Sequence, residues 1–436
     1  MEKIKIGFAR KIITPPLGTP MSGYFEPRYA KGIHDDLFAN AVAFDDGERR
    51  AVIITLDLCG LKNQEYADRY KRIISDFCKI PVEAIILNCS HTHTGPIIGF
   101  DESSGVASNA QYDEWLGTML RDVAALAFAD MSPAELSIGS GKVDGVAFIR
   151  IFRMRDGTVQ TNPRDVENVL CPISEINNTA NLLKIEREGK EDILAVNFGL
   201  HADTIGGEII SADFIGVMRN TVEAAIPNTK CIFLQGAEGD VNTRDIHNLK
   251  RPDGFGSALH IGRTIAGVVL GICGKTKRIS AENISFLQKK VYIPTNREND
   301  RLEDAKEILV LYRAGRTDEI KVRQGMSPMT MAAEAIRIVR LENGPDEFEF
   351  ELTALRIGEL VIAALPGEPF CEIGKRIISE SPFKMTMPLA LTNGGEIYFP
   401  TGNIYEEGGY EATSTPIKKG ADDILVNEMT ELIKRI

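Results

Sequence analysis

The chain has 436 residues, enough to bury a large core, and its 43% hydrophobic and 26% charged residues are typical of a globular protein. Its net charge of −12 argues against a nucleic-acid partner and against an anionic membrane surface. The seven cysteines are scattered and form no C-x-x-C pair. This pattern argues against a cysteine-ligated metal and fits a reducing compartment.

The first residues of the sequence as given are short and alternating, without the apolar segment of a secretion signal, so we expect a cytoplasmic location. Apolar runs such as 266–273 are too short to span a bilayer, so we expect no membrane span.

In the N-terminal region, His34 is followed directly by Asp35 and Asp36. This arrangement is either a metal cluster or a hydrogen-bonded corner.

The apolar run 84–87 predicts a buried strand, and Ser90-His91-Thr92-His93-Thr94-Gly95-Pro96 follows it closely. Residues two apart in an extended chain point the same way, so both imidazoles would face one space. One could bind a metal while the other meets whatever the metal binds, since imidazole is the commonest metal ligand among side chains. A surface loop that holds two histidines by chance is the alternative for an isolated H-x-H.

Two later strands also end in polar groups. The apolar run 192–200 ends at His201, and the run 230–235 opens into a loop with two glycines, Gly236 and Gly239, which would allow a close backbone approach or a positive φ. Three strands with such ends predict one site at one edge of a sheet. Arg150, which precedes the last two of these strands, interrupts an apolar run. Its side chain either points outward from a strand or faces the site as a positive charge.

The remaining elements surround this site. Apolar periodicity predicts a hairpin at 38–58, another at 348–365, and helices at 64–77, 112–129, 211–225, 256–273 and 422–436. Charged helices at 301–313 and 329–339 indicate a peripheral helical insertion at about 296–345. Glu368 lies on a rigid corner between two prolines, and three tyrosines, Tyr398, Tyr405 and Tyr410, follow near the end.

Six blocks of this sequence, in one order, resemble the catalytic domain of the neutral ceramidases, which are zinc-dependent amidases. Together they extend from near the start to near the end of the chain, so the resemblance is specific although each block alone is weak. The blocks are Ile13-Thr14-Pro15-Pro16 with Met21-Ser22-Gly23-Tyr24, Gly32-Ile33-His34, Ser90 to Pro96, Gln235 to Val241, Leu365-Pro366-Gly367-Glu368, and Tyr398 to Thr415.

The resemblance implies that four side chains bind one Zn²⁺, namely His91, His201, Glu368 and Tyr398. Imidazoles and a carboxylate are ordinary zinc ligands, and a metal-bound phenol ionises well below its free pKa of roughly 10. Among the tyrosines we choose Tyr398 because it lies twelve residues before Tyr410, as the family's ligand tyrosine lies before a later site tyrosine. Tyr405 and Tyr410 remain the alternatives.

The resemblance also implies roles in catalysis. His93, Arg150 and Tyr410 would donate hydrogen bonds near the scissile carbonyl, and Asp240 would orient a partner or carry a proton. Asn242 replaces the serine that ceramidases typically have two residues after this aspartate, which leaves serine-assisted chemistry open. We also expect this protein to have no counterpart of the immunoglobulin-like domain that follows the catalytic domain in those enzymes.

We therefore predict one α/β domain over residues 1–436, in which two mixed β-sheets pack together with helices outside. We expect zinc-dependent hydrolysis of an amide in a small, soluble substrate. Without an export signal or an evident apolar patch for extracting a lipid, the sequence disfavours ceramide itself. The alternatives are ester, lactone or lactam hydrolysis or elimination on a sugar-derived substrate, and a degenerate homologue that only binds a ligand. The sequence leaves open whether the chain forms a homo-oligomer.

Overall fold

A computed structural model describes residues 4–101, 104–248, 254–323 and 326–436. The helices in these ranges are α1 Gln64–Cys78, α2 Ala110–Ala129, α3 Asp213–Ala225, α4 Phe255–Cys273, α5 Leu302–Arg313, α6 Pro328–Leu341, α7 Cys371–Glu380, α8 Gly402–Glu407, α9 Tyr410–Ser414 and α10 Ala421–Arg435. Single 3₁₀ turns occur at Val82–Ala84, Val166–Asn168 and Thr317–Glu319.

The strands in the same ranges are β1 Lys5–Ile12, β2 Gly32–Ile33, β3 Phe38–Asp45, β4 Arg50–Leu56, β5 Ile85–Cys89, β6 Phe100–Asp101, β7 Val106–Ala107, β8 Ser132–Lys142, β9 Phe148–Ile149, β10 Ile151–Met154, β11 Val159–Thr161, β12 Val169–Pro172, β13 Thr179–Arg187, β14 Asp192–Phe198, β15 Ile209–Ile210, β16 Thr229–Gln235, β17 Val241–Asn242, β18 Lys277–Ile279, β19 Ile284–Pro294, β20 Glu347–Ile357, β21 Leu360–Ala364, β22 Glu368–Pro369, β23 Met385–Leu389 and β24 Tyr398–Phe399.

The larger sheet has the strand order β16-β14-β13-β8-β1-β3-β4-β5, with β18 paired to β8. Its end pairs, β14 with β16 and β4 with β5, are parallel, and the pairs between them are antiparallel. The two end strands lie close to each other, as the hydrogen bond from Gln235 N of β16 to Asn88 Oδ1 of β5 at 3.0 Å shows. This approach brings the residues that follow β5, β14 and β16 to one edge.

The smaller sheet has the order β19-β20-β21-β23, with β21 and β23 parallel and the other pairs antiparallel. It packs on one face of the larger sheet through a shared apolar core, which includes Ile53 and Ile86 from the larger sheet and Leu355 and Ile362 from the smaller one. The predicted arrangement of two mixed sheets in contact is confirmed.

Helices cover the outer faces of both sheets. The other face of the larger sheet packs against α1 and α2 over one part and against α3 and α4 over the rest. The outer face of the smaller sheet packs against α7 and α10. The order of layers is therefore helices, large sheet, small sheet, helices, in which alternate residues of each strand face opposite cores.

Helix α4 is long and apolar enough, by length and composition alone, to cross a membrane. The core helix of a globular protein passes the same test, and one face of α4 is buried against α3 and the larger sheet through Ile261, Ile265 and Val269. Packing against the larger sheet and α3 therefore accounts for the apolar face of α4.

Helices α5 and α6 lie in the segment between the paired strands β19 and β20, close to the 296–345 range expected for the insertion. They pack against each other around their own small apolar cluster, which includes Ile308, Leu309, Met331 and Ile338. We call α5, α6 and the turn between them the helical lobe.

Candidate metal centre

His91 follows β5 in a left-handed backbone conformation, with φ at 67°. Its N–H donates to Leu58 O at 2.9 Å, which continues the pairing of β5 with the chain after β4. The segment is therefore not extended as we had expected at His91. The two imidazoles still meet, because His93 Nε2 lies 3.2 Å from His91 Nε2.

The ring orientation of His91 and His201 is fixed by backbone carbonyls. His91 Nδ1 lies 2.9 Å from Cys59 O, and His201 Nδ1 lies 3.0 Å from both Glu238 O and Val241 O. A carbonyl can only accept, so each Nδ1 carries a proton and each Nε2 is the ring nitrogen left to bind a cation. Carbonyl contacts of this kind set the tautomer of metal-binding histidines.

Glu368 faces both of these nitrogens. Its Oε2 atom lies 3.1 Å from His201 Nε2 and 3.4 Å from His91 Nε2. Burial alone would raise the pKa of Glu368, but the charge of His91 and contacts with His201 hold it well below its usual range, so the side chain is a carboxylate. Burial alone would lower the pKa of His91, but Cys59 and Glu368 raise it well above its usual value, so without a metal its Nε2 shares a proton with Glu368. Burial, and then the charge of Arg150, lower the pKa of His201 to about 4, which keeps that imidazole neutral.

These three side chains have the donor atoms that a cation needs. Ligand atoms of His91, His201 and Glu368 all lie within 4.8 Å of one another, and all three residues are buried. Glu368 Oε2 is buried and has no hydrogen-bond partner among the residues that the structure describes. Two imidazole nitrogens and a carboxylate oxygen directed at one another need a cation or a proton between them. The residues therefore fit a metal ion, and two histidines with one carboxylate are a set that Zn²⁺ accepts in open catalytic sites.

Tyr398 is brought to this cluster by strand pairing. It is the register partner of Glu368 in the parallel pair of β22 with β24. Burial, and then the charge of Glu368, raise the pKa of Tyr398 well above its usual value in spite of the nearby Arg150, so its phenolate would need a further cation such as a metal. Tyr405, the other candidate close by, donates its hydroxyl to Ile417 O at 3.2 Å.

His93 lies at the partly exposed side of the cluster. Its Nδ1 faces Asp203 Oδ1 at 3.4 Å, and the hydroxyl of Tyr24 donates to the same carboxylate oxygen. Burial, followed by the charges of His91 and His201, lowers the pKa of His93 well below its usual value. Nδ1 has no hydrogen-bond partner among the described residues, so the charge of Asp203 alone favours a proton there, while Nε2 faces the cluster.

Arg150 and Tyr410 form the wall beside His201. Arg150 Nη1 lies 3.2 Å from His201 Nε2, Nη2 donates to Gly239 O at 2.7 Å, and Nε forms an ion pair of 2.7 Å with Glu411. The guanidinium lies over the ring of Tyr398 at 5.0 Å. The ring of Tyr410 meets that of Tyr398 edge to face, with centroids 6.0 Å apart. Arg150 is therefore held inward, as its functional interpretation requires.

The structure does not bring the Asp240 carboxylate to this cluster. Its Oδ1 accepts from Cys371 N at 2.7 Å, at the start of α7, and its Oδ2 accepts from Ser174 Oγ at 3.1 Å. Its backbone carbonyl instead accepts from Arg150 N at 3.0 Å. These contacts occupy the carboxylate in holding the start of α7, and the expectation that Asp240 orients a partner or carries a proton stays a prediction.

Two other residues singled out in the sequence also lie apart from the cluster. The side chain of Asn242 turns back to its neighbour, with Oδ1 accepting from Thr243 N at 2.6 Å. The His34 side chain is half-exposed and packs against the ring of Phe255, and its Nε2 lies 4.0 Å from Asp35 Oδ2. In the described part of the chain, neither residue belongs to a group able to hold a metal.

Sequence patterns did not point to two residues beside the cluster. Both carboxylate oxygens of Glu238 are buried without a hydrogen-bond partner among the described residues, and burial raises its pKa well above the usual value. Cys59 Sγ lies 3.8 Å from His91 Nδ1 and, with His91 and His93, forms a second group that could hold a metal. No local signal indicates either residue, because each reaches the site through a loop that only the folded sheet positions.

No protein-family model matches this chain, and no curated protein sequence matches it. Solved structures do. Neutral ceramidase from Pseudomonas aeruginosa is similar with a TM-score of 0.73 at 17% identity, over 99% of this chain and 74% of that chain. A ceramidase complexed with C2 is similar with a TM-score of 0.72 at 15% identity, over 99% of this chain and 75% of that chain. The chain therefore has a neutral ceramidase-like fold, as the sequence motifs predicted.

Proposed function

We propose that this chain is a zinc-dependent hydrolase that cleaves an amide bond in a small, soluble substrate. The observation that carries the proposal is the convergence of His91, His201 and the unpartnered oxygen of Glu368 at one point. Tyr398 would complete the set of zinc ligands. A bound zinc ion supplies Lewis-acid activation of a water molecule and of the amide carbonyl at neutral pH.

His93 is proposed as the residue that moves the proton. Its Nε2 faces the cluster, and Asp203 beside Nδ1 stabilises the imidazolium that forms when Nε2 accepts a proton from water. The protonated ring can then donate to the departing amine. An Asp behind an imidazole orients it in this way in many acyl-transfer sites.

Tyr410 and Arg150 are proposed to stabilise the negative charge that develops on the carbonyl oxygen. A well-placed donor in a water-poor site contributes a few kcal/mol to such stabilisation. Arg150 also keeps a positive charge in the wall, although its ion pair with buried Glu411 offsets part of that charge. The amide reaction of the structural relatives supports this choice of substrate, since their names give ceramidase activity.

We further propose that the substrate is a small molecule encountered in the cytoplasm. The seven cysteines are all unpaired, which agrees with a reducing compartment. The negative charge of the chain disfavours nucleic acid as a substrate.

The experiment is a hydrolysis assay on N-acyl amines graded by acyl length, with matched esters and sugar lactones. We expect the zinc-loaded protein to cleave short N-acyl amides, to lose this activity on chelation and to regain it with zinc. Preference for ceramide-length acyl chains would contradict the soluble substrate. Turnover of lactones or esters without amides would contradict the amidase assignment.

A further inference from the structure

The short helix α9 carries Tyr410 and is too short to be stable by itself. It has five residues, from Tyr410 to Ser414, and isolated helices of that length are unstable in water. Gly408 and Gly409 come directly before it with φ of 94° and 115°, a region that glycine alone enters easily. The position of the Tyr410 hydroxyl therefore depends on contacts between α9 and residues outside this helix.

Two arginines contact α9 from opposite parts of the fold. Arg150, in the wall of the metal centre, binds Glu411 through the 2.7 Å ion pair, and Glu411 also accepts from Thr161 at 2.9 Å. Arg337, on α6 of the helical lobe, donates from Nη1 to Ser414 O at 3.3 Å. The first contact belongs to the site already described. The second comes from the lobe.

Arg337 also contacts the surroundings of Tyr410 itself. Its guanidinium lies over the ring of Phe25 at 5.6 Å, and Phe25 meets the ring of Tyr410 edge to face with centroids 6.3 Å apart. Burial alone would lower the pKa of Arg337, but attraction between its guanidinium and Tyr410 raises it above its ordinary value. A phenol oxygen that accepts from a guanidinium keeps its own O–H free to donate elsewhere.

The lobe is built to hold α6 in a fixed orientation. Glu334, one turn before Arg337 on α6, is fully buried and binds Arg301 and Arg323. Ser327 caps the start of α6 by accepting from Thr330 N at 3.1 Å. These contacts fix the face of α6 that bears Arg337, because residues three apart on a helix share a face.

We propose that Arg337 is a positioning residue through which the helical lobe holds α9, and with it the Tyr410 hydroxyl, at the candidate metal centre. The inference rests on the proposed hydrolase function and deepens it. It makes the lobe a part of the site, in contrast to the peripheral insertion that its charged sequence indicates. Arg337 itself acts through Tyr410.

The test is a double-mutant cycle with Arg337→Met, Tyr410→Phe and the combined variant, measured as kcat and KM on the best amide substrate. We expect Arg337→Met to lower kcat about tenfold with KM changed less than twofold, because it mispositions one donor. Arg337→Lys should restore part of the loss. The combined variant should be no slower than Tyr410→Phe. Arg313→Met, on an exposed position of α5, is the control and should keep full activity.

A second measurement does not depend on turnover. In protein labelled with 3-fluorotyrosine, the ¹⁹F resonance that disappears in Tyr410→Phe identifies Tyr410. That resonance should shift in Arg337→Met and stay in place in Arg313→Met. Strictly additive losses in kcat, or an unshifted resonance, would overturn the inference. Absence of amide hydrolysis in the wild type would reject the proposed function instead, and the resonance would still decide whether Arg337 positions Tyr410.

Discussion

Glu368 and Tyr398 lie side by side as register partners in a parallel pair of two-residue strands. The pairing places Tyr398 beside Glu368 and so supports the prediction that Tyr398, rather than either later tyrosine, is the ligand. It also shows that the position of Glu368 depends on backbone contacts, since Glu368 N donates to Ile397 O at 2.8 Å. Changes in the backbone around Glu368 should therefore affect metal binding without removing a ligand.

Gly239 tests this dependence. A methyl group at Gly239 would come within 2.3 Å of Glu368 O, a backbone atom that cannot move aside on its own. We expect Gly239→Ala to displace the carboxylate and weaken zinc binding about 10- to 100-fold, the range for changes in the surroundings of metal ligands. Competition with a chromogenic chelator measures the affinity.

Gly267→Ala is the matched control for this substitution. Gly267 lies within α4, and nothing stands within 4 Å of where its methyl group would be. This variant should bind zinc normally and gain up to about 1 kcal/mol of stability, because alanine favours a helix over glycine. Equal zinc affinities for the two variants would show that the close approach at Gly239 does not position Glu368.

His93→Ala separates proton transfer from metal binding. His93 lies next to His91, but it is outside the group formed by His91, His201 and Glu368. We expect one zinc ion per chain as in the wild type and a kcat lowered about 10²- to 10³-fold, since a general base is lost. His34→Ala, a change at a half-exposed histidine apart from the centre, should leave both values unchanged. Loss of zinc from His93→Ala would instead make His93 a ligand.

The ion pair of Arg10 with Glu223 gives a prediction for pH. Burial raises the pKa of Glu223, but hydrogen bonds from Arg10 and from Cys231 N outweigh that effect and hold it below the ordinary value of 4.5. A depressed pKa means that the stabilisation is present above the unfolded pKa and is lost as pH falls through the folded pKa. Stability should therefore fall in acid.

Glu223→Gln should lower the free energy of unfolding by about 1–2 kcal/mol at pH 7, because it removes a charged hydrogen-bond acceptor. The difference from the wild type should shrink as the pH falls below 4.5. Urea unfolding at several pH values measures it, with Glu48→Gln, at an exposed turn position, as the control. A difference that stays constant down to pH 3 would contradict the assignment.

Long apolar or amphipathic segments were predictable from the sequence. The helices α1, α2, α4 and α10 and the hairpin of β3 with β4 agree with their apolar periodicity to within a few residues. Helix α7 was missed because its first N–H is bound by Asp240, far away in the chain, so no local cap marks its start. Strand β13, which is central in the larger sheet, was also missed, although it forms a hairpin with the next strand β14; its other partner, β8, is distant in sequence.

Motifs also located much of the candidate centre, whereas tertiary contacts decided the rest. His91, His201 and Glu368 meet because three strand ends and one rigid corner converge, an arrangement that the sequence could indicate. The left-handed conformation of His91 and the side-chain contacts of Asp240 depend on packing between distant segments. The same holds for Arg337, whose charged helix gives no sign that it approaches Tyr410.

The most direct test of the account is the zinc content of purified protein after removal of all metal and reloading, compared among the wild type, His91→Ala, His201→Ala and Glu368→Ala. The account predicts one tightly bound zinc ion per wild-type chain and none in each variant, with far-ultraviolet circular dichroism unchanged. Full zinc content in any one of the three folded variants would contradict the proposal that these side chains together hold one metal ion.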